Sequence, residues 1–414
     1  MSTIINTDVV ILGGGSAGIA AAVAAARKGL NVIIIERNNF IGGKATAAEV
    51  GTICGLYKFS KEEKSAFIVK GFAKEFAIKL QAASQTQPLH NMEGLHYLPY
   101  NINAFAKIAI DLLQENKVAI YFNAVLQNVC INNGQIESIS VIANGNPITI
   151  QLKAIVDCSG DSIISQEANL PIIKSDNYQA AAQVFTLQGV TEQNEAKLGM
   201  IMMKALQLAI NDDCIANFYD RVYIVQGSLK NNCVSLKIGV PLAVTYAPGN
   251  LQELKTVAHS FVENLCRFLI SNVAAFKNAS LQSIAPEVGI RVGQRTIGKY
   301  IITKDDVIGC KKYPDAVANC TWPIEVWEQN RRVKMNYFSI DDFYQIPAGC
   351  LQSATIVNLF IAGRNISATD DAIASARVMG ICLQTGFAAG YMAAATALQL
   401  SVKECIKHIQ NEQL

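Results

Sequence analysis

The chain has 414 residues, 51% of them hydrophobic and 16% charged, with a formal net charge of +2. That length and balance support a sizeable core and two domains, or one large one with an excursion, and the charge argues against nucleic acid or an acidic membrane surface as a partner. Eleven cysteines with no CxxC pair argue against a metal centre and for free thiols, so the expected compartment is the reducing cytoplasm.

The opening "MSTIINTD" has no basic stretch, so it does not read as a signal peptide. The apolar run that follows contains four glycines, which favours a strand and helix over a transmembrane segment. "DVVIL" (8–12) reads as a buried parallel strand, 16–28 as an alanine-rich helix, and "NVIIIE" (31–36) as a second buried strand. A helix from about 104 to 116 leads to "VAIYF" (118–122). Three further strand patterns follow, joined by "NNG" (132–134) and "NGN" (144–146), both hairpin signals. From 176 to 335 the pattern is mixed. "NEAKLGMIMMKALQLAIN" and "NLQELKTVAHSFVENLCRFLISNVAAF" have helical periodicity, while "NCVSLKIGVPLAVT" and "GKYIIT" read as strands. The chain ends with a buried strand in "TIVNLFIAGR" and a long small-residue helix at 377–400. The expected fold is α/β: a Rossmann-like domain with a β-meander from 1–175 and 336–414, and an inserted mixed α+β substrate domain at 176–335.

Between the first strand and helix lies "GGGSAG", which is Gly13-x-Gly15-x-x-Gly18. Gly13 permits a tight turn, Gly15 lets a pyrophosphate approach the backbone, and Gly18 lets the helix lie close to the strand. The phosphates would then meet the helix N-terminus, whose free N–H groups favour an anion. Glu36 ends the second strand at the spacing of a ribose-binding acid, and its charge disfavours a 2′-phosphate. The loop alone is compatible with FAD, NAD or a structural glycine turn.

The segment "ERNNFIGGKAT" (36–46), then "VDCSGD" (156–161), "YQIPAGCL" (344–351) and "AGRNISAT" (362–369), occur in that order. Here the sequence resembles the FAD-dependent oxidoreductases of the glutathione-reductase-like superfamily, and the meander belongs to the same fold. The resemblance implies FAD as cofactor. It places Gly13, Gly15, Ser16 and Gly18 at the pyrophosphate, Glu36 on the adenosine ribose and Arg37 beside it. Gly42, Gly43, Lys44, Ala45 and Thr46 would run along the ribityl chain, and Val125 would face adenine. Gly160 and Asp161 would close the nucleotide side, with Gly363 and Arg364 at the ribityl and pyrophosphate. Val378 and Met379 would start a helix aimed at the flavin pyrimidine, where a helix N-terminus stabilises negative charge.

The candidates for catalysis are fewer. Cys54 and Tyr57 in "GTICGLY" follow the flavin loop; Cys54 reads as a redox thiol or as packing, Tyr57 as a donor to substrate or as a buried tyrosine. His96 in "GLHYLPY" is a candidate general base, against a plain surface-loop histidine. Family members often carry a histidine where this chain has Asp370, so Asp370 is itself a candidate base. Arg377 is a candidate anchor for an anionic substrate, or a partner of Asp370 or Asp371. "RVGQRTIGKY" mimics a phosphate loop but lacks its Ser/Thr; it resembles a family stretch in which Arg291 and Arg295 line the substrate cavity, or form salt bridges.

The expected activity is hydride transfer between a small organic substrate and flavin N5, a dehydrogenase or reductase. The alternatives are an oxygen-using monooxygenase or oxidase, and a non-catalytic FAD-binding redox sensor or scaffold. With no second GxGxxG, the electron partner is open among oxygen, a quinone, NAD(P)H and another protein.

Overall fold

The computed structural model describes residues 3–176, 178–329 and 333–414. Five short strands form a parallel sheet in the order Leu359–Ile361, Ala154–Asp157, Val9–Leu12, Val32–Ile35, Ala119–Tyr121. The sheet thus joins the two ends of the chain. The strands Val9–Leu12, Val32–Ile35 and Ala154–Asp157 are buried at every position, which is why they read as unbroken apolar runs rather than as alternation.

Helix Ser16–Ala26 connects two of these strands and is buried from Ser16 to Ala25. Its alanines let a second helix, Met379–Ala397, approach to backbone contact. Gly386 and Gly390 lie one helical turn apart at that crossing. A Cβ on either would stand 2.1 Å from a carbonyl oxygen, of Ala17 and Ala21 respectively.

The meander is Ala124–Asn132, Gln135–Ala143 and Asn146–Gln151, and Thr3–Asn6 adds a parallel fourth strand. Both hairpins turn on Asn-Gly, with φ of 48° and 73° at Asn133 and Gly134 and of 48° and 80° at Asn144 and Gly145. These positive angles are what a two-residue hairpin matched to strand twist requires.

A second layer lies in mid-chain. Its antiparallel sheet runs Val222–Ile224, Cys233–Gly239, Ala182–Gln188, Ser280–Ile284. Helices Glu195–Asn211 and Asn250–Asn272 cover one face through Leu198, Met202 and Leu206 from the first and Val262, Leu265 and Leu269 from the second. Each such side chain contributes about 1.5–3 kcal/mol relative to exposure.

Two strand expectations end differently. "GKYIIT" makes only isolated bridges, because Thr303 leaves the extended run to cap helix Lys304–Ile308 with a reciprocal Asp306 contact. "NCVSLKIGVPLAVT" stops pairing at Gly239, just before Pro241, which has no N–H to give a ladder. No single helix among the described residues is long and apolar enough to cross a membrane. No cluster of His, Cys, Asp and Glu fit for a metal is found among them.

Candidate active site

A cavity of about 350 Å³ opens at the carboxyl ends of the parallel strands. Gly13 follows the first strand and is pinned by a bond from its N–H to the Ile35 carbonyl, 2.8 Å. A Cβ on Gly18 would fall 1.9 Å from the Gly13 carbonyl oxygen, so the helix start is pressed onto the loop. That start carries no side-chain cap. Glu36 lines the cavity and accepts from the Gly14 N–H at 2.7 Å and the Asn38 N–H at 2.9 Å. Burial raises its carboxyl above the ordinary range, opposed by those two N–H groups. The backbone thus fixes the carboxylate at the cavity wall through both of its oxygens.

Close to Glu36, through Arg37 and Asn38, Glu287 gathers two cations. It accepts from Lys44 Nζ at 2.6 Å and from Arg37 at 2.9 Å. Burial raises the Glu287 carboxyl, but Lys44 and Arg37 outweigh it and hold it at about 2. Burial also lowers Lys44, more than Glu287 raises it. Asp161 accepts from the Tyr246 hydroxyl at 2.7 Å and lies 3.9 Å from Arg364. Buried Asp157 braces the turn before it, accepting from the Ser159 N–H and hydroxyl at 3.0 and 2.6 Å.

Of the residues expected at the cofactor, this cavity is lined by Gly13, Gly15, Ser16, Glu36, Arg37, Gly42, Gly43, Lys44 and Ala45. Val125, Gly160, Asp161, Gly363, Arg364 and Met379 line it too. Gly18 is not on its wall, and serves the packing just described. Thr46 is not either; its hydroxyl donates to the Ile41 and Gly43 carbonyls at 2.8 and 3.2 Å and ties the "GGKAT" loop together. Val378 precedes helix Met379–Ala397 and lines the neighbouring cavity. A glycine-walled cleft, an uncapped helix start and a carboxylate at the wall suit a dinucleotide such as FAD.

The second cavity, about 380 Å³, shares Lys44, Ala45, Arg364, Arg377 and Met379 with the first. Its apolar wall includes Val184, Ile224, Ile290, Trp322 and Trp327. Its charges are Lys237, Arg291, Arg377 and Glu325, beside the shared Lys44 and Arg364. Both Trp322 and Trp327 donate indole N–H bonds to the Glu325 carboxylate, at 2.8 and 2.7 Å. The Trp327 ring also carries Arg291 at 4.0 Å and Lys237 at 4.6 Å from its centroid. Burial, then the nearby Arg291 charge, bring Lys237 down to about 8.

The expected catalytic residues divide. Cys54 and Arg377 line the second cavity. Burial and then Glu325 push the Cys54 thiol far up, so it is a neutral thiol at physiological pH. Arg377 reaches the Glu325 carbonyl at 3.2 Å, while its Nε is buried without a partner. It pairs with neither Asp370 nor Asp371.

His96, Tyr57 and Asp370 line neither cavity. His96 is not in a surface loop but on strand His96–Pro99, paired through Tyr97 with Cys54. Alternation turns Tyr97 to the cavity and His96 away from it, where Ser65 and the Ser60 carbonyl engage its ring nitrogens at 2.7 and 3.0 Å. Tyr57 is buried against Phe67, its hydroxyl without a partner. Asp370 begins helix Asp370–Ala376 and forms an ion pair with fully buried Arg295. Arg295 thereby has a structural partner, whereas Arg291 lines the second cavity.

Sequence reasoning missed Lys237, Glu325, Trp322, Trp327 and Glu287. A detectable signal existed in "TWPIEVWE", where the chain's only two tryptophans bracket an acid, and in the lysine within the alternating "CVSLKIG".

A family model described as FAD dependent oxidoreductase matches residues 8–411. No curated protein matches the sequence. Among solved structures, the chain is similar to a geranylgeranyl bacteriochlorophyll reductase-like protein from Thermoplasma acidophilum. The identity is 13% and the TM-score 0.51, over 99% of this chain and 83% of that one. It is also similar to OxyS anhydrotetracycline hydroxylase from Streptomyces rimosus, with 10% identity and a TM-score of 0.52 over 99% and 66%. CabE, an aromatic hydroxylase from angucycline biosynthesis, is 11% identical with a TM-score of 0.51 over 98% and 65%. At these identities the likeness is one of fold.

Proposed function

The chain belongs to the FAD-dependent oxidoreductase family, and from that premise we propose that it moves electrons between FAD and a small organic substrate in the second cavity. The observation that carries this is the wall the two cavities share at Lys44, Ala45, Arg364, Arg377 and Met379. A cofactor lying in the first cavity can present its reactive end to the second only there. Bound FAD supplies a two-electron carrier, and the protein orients the partner molecule and sets the charge around it.

We place the chain in the glutathione-reductase-like superfamily, with a FAD-binding domain of residues 1–175 and 336–414 and a substrate domain of 176–335. The parallel sheet with its meander and the separate mid-chain core support that division. Eleven free thiols support a reducing, cytoplasmic setting.

Two readings divide the chemistry. Oxygen-using monooxygenase or oxidase action has the support of the two neighbours described as hydroxylases. Hydride transfer by a dehydrogenase or reductase has that of the reductase-like neighbour. We favour the oxygen-using reading, in which oxygen is the acceptor, with the electron donor open among a reduced quinone, NAD(P)H, a reduced protein and the substrate itself. The test is anaerobic photoreduction of the holoprotein followed by admission of air. Rapid return of the visible absorbance with peroxide or a hydroxylated product supports oxygen use. Slow return supports the dehydrogenase or reductase.

A further inference from the structure

The second cavity holds more positive charge than the protein itself answers. Lys237, on strand Cys233–Gly239, and Arg291 line this cavity alone, so they are not drawn to the cofactor side as Lys44 and Arg364 are. Neither forms an ion pair with a carboxylate among the described residues. Lys44, by contrast, is answered by Glu287, and Arg364 lies near Asp161. Arg377 at the junction likewise forms no direct ion pair among the described residues; it reaches carbonyl oxygens, leaves its Nε unpartnered, and feels the Glu325 charge at longer range.

Among the described residues Glu325 is the one acid on the cavity wall; its two oxygens accept from the Trp322 and Trp327 indoles, and its single charge is shared among Arg377, Lys237 and Arg291. Arg291 and Lys237 both lie against the Trp327 ring, which brings two like charges together. Both are half-buried, and like charges held partly out of water repel and are costly to leave unpaired. The remaining wall is aromatic and aliphatic, suited to a carbon skeleton rather than to an inorganic ion.

We propose that the second cavity takes an organic carboxylate, with its charged group between Lys237 and Arg291 and its apolar body reaching the junction at Arg377 and Met379. This deepens the oxidoreductase reading and rests on it. Two fixed cations set the acid's orientation, so that the carbon to be oxidised or reduced faces the wall shared with the cofactor cavity. Trp327 serves as a platform for both cations, and Glu325 holds Trp327 in place through its indole bond.

The chain's only tryptophans, Trp322 and Trp327, both line this cavity, so their fluorescence reports on its contents without any turnover. Holoprotein is titrated with sodium benzoate, benzamide and phenyl phosphate while tryptophan emission is followed. Benzoate should change the emission and bind about tenfold or more tightly than benzamide, the ratio of one charge-assisted contact. Lys237→Met should weaken benzoate about tenfold and leave benzamide and the FAD content unchanged. Glu325→Gln, which removes the competing negative charge, should tighten benzoate. The proposal is overturned if benzamide matches benzoate, if Lys237→Met changes neither, or if phenyl phosphate binds more tightly than benzoate. Neutral compounds that exchange electrons with the flavin while carboxylates do not would overturn the substrate class and leave the oxidoreductase reading standing. A purified protein lacking FAD would remove both.

Discussion

Gly386 rests directly on Ala17: a Cβ on the glycine would lie 2.1 Å from the Ala17 carbonyl oxygen and 2.6 Å from its Cα. The helix behind the phosphate loop is thus positioned by a backbone-to-backbone contact. Gly386→Ala should force the two helices apart at a cost of about 1–3 kcal/mol or more. The expected result is a lower Tm together with weaker FAD retention, because Ser16 and Gly15 move with helix Ser16–Ala26. An unchanged melting curve would show that the crossing has slack.

The Arg295–Asp370 pair predicts a stability effect at a residue whose sequence context suggested catalysis. Arg295 is fully buried, and Asp370 and Ser175 are its side-chain partners. Asp370→Asn should destabilise the protein by about 1–3 kcal/mol, below the 3–5 for removing one member of a fully buried pair because Asp370 is half exposed. Denaturant unfolding measures this. The pH profile of turnover should keep its shape, whereas loss of an ionisation from that profile would restore Asp370 as a base.

Glu287 gives the stability a definite pH sign. Its carboxyl is held at about 2 in the folded protein, below its ordinary value of 4.5. The stabilisation is therefore present above the unfolded value and is lost as pH falls through 4 toward 2. Glu287→Gln should lose on the order of 2 kcal/mol at neutral pH, allowing for partial exposure. Its melting temperature should converge on that of the wild type in acid. Parallel curves down to pH 3 would argue against the ion cluster as the cause.

Lys237 predicts the opposite direction for ligand affinity. Its ammonium is brought to about 8 by burial and by Arg291, with Arg377 adding to the fall and Glu325 and Cys54 opposing it. The rings of Trp327 and Tyr223 also face it. Benzoate affinity should be steady below pH 8 and weaken as pH rises through and beyond it, since the bound anion itself favours the charged form. Lys237→Met should flatten that dependence. Burial and the Arg377 charge lower Arg291 as well, to about 9, so Lys237 is the first of the two to lose its charge as pH rises.

Cys54 should tolerate replacement. Its thiol is neutral and no second cysteine lines the second cavity. Cys54→Ser should retain turnover within about threefold, the usual scatter of a packing change of under 1 kcal/mol. Abolished activity with intact FAD binding would give the thiol a chemical role.

Legibility in the sequence followed the range of the interactions. The runs "VVIL" and "VIII", the Asn-Gly turns at 133–134 and 144–145 and the glycine loop encode their conformation within a few residues. They were readable with boundaries close to those found. The cationic cavity was legible only in part: Arg291 and Arg377 were candidates for it, whereas Lys237 and Glu325 were not, because the four come from separate segments and meet only after folding. A lysine in an alternating strand reads as solvent-facing until the opposite wall is known. His96 failed for a related reason: "LHYLPY" resembles a loop until strands Thr52–Cys54 and Leu89–His90 take it into a sheet.

The strand order that sets Leu359–Ile361 beside Ala154–Asp157 and Val9–Leu12 also constrains how the protein can be made. The glycine loop leaves the ribosome more than three hundred residues before the edge strand and the helix that covers Ser16–Ala26. Until then helix Ser16–Ala26 packs on its flanking strands and on helix Ile102–Glu115, but its largest partner is missing and that apolar face is a target for chaperones or for aggregation. A message cut short before the codons for Met379–Ala397 would yield a polypeptide bearing the fingerprint of a nucleotide-binding protein with no platform behind it. Partial synthesis therefore gives no partial enzyme, and quality control has one event to watch: the closing of helix Met379–Ala397 over helix Ser16–Ala26.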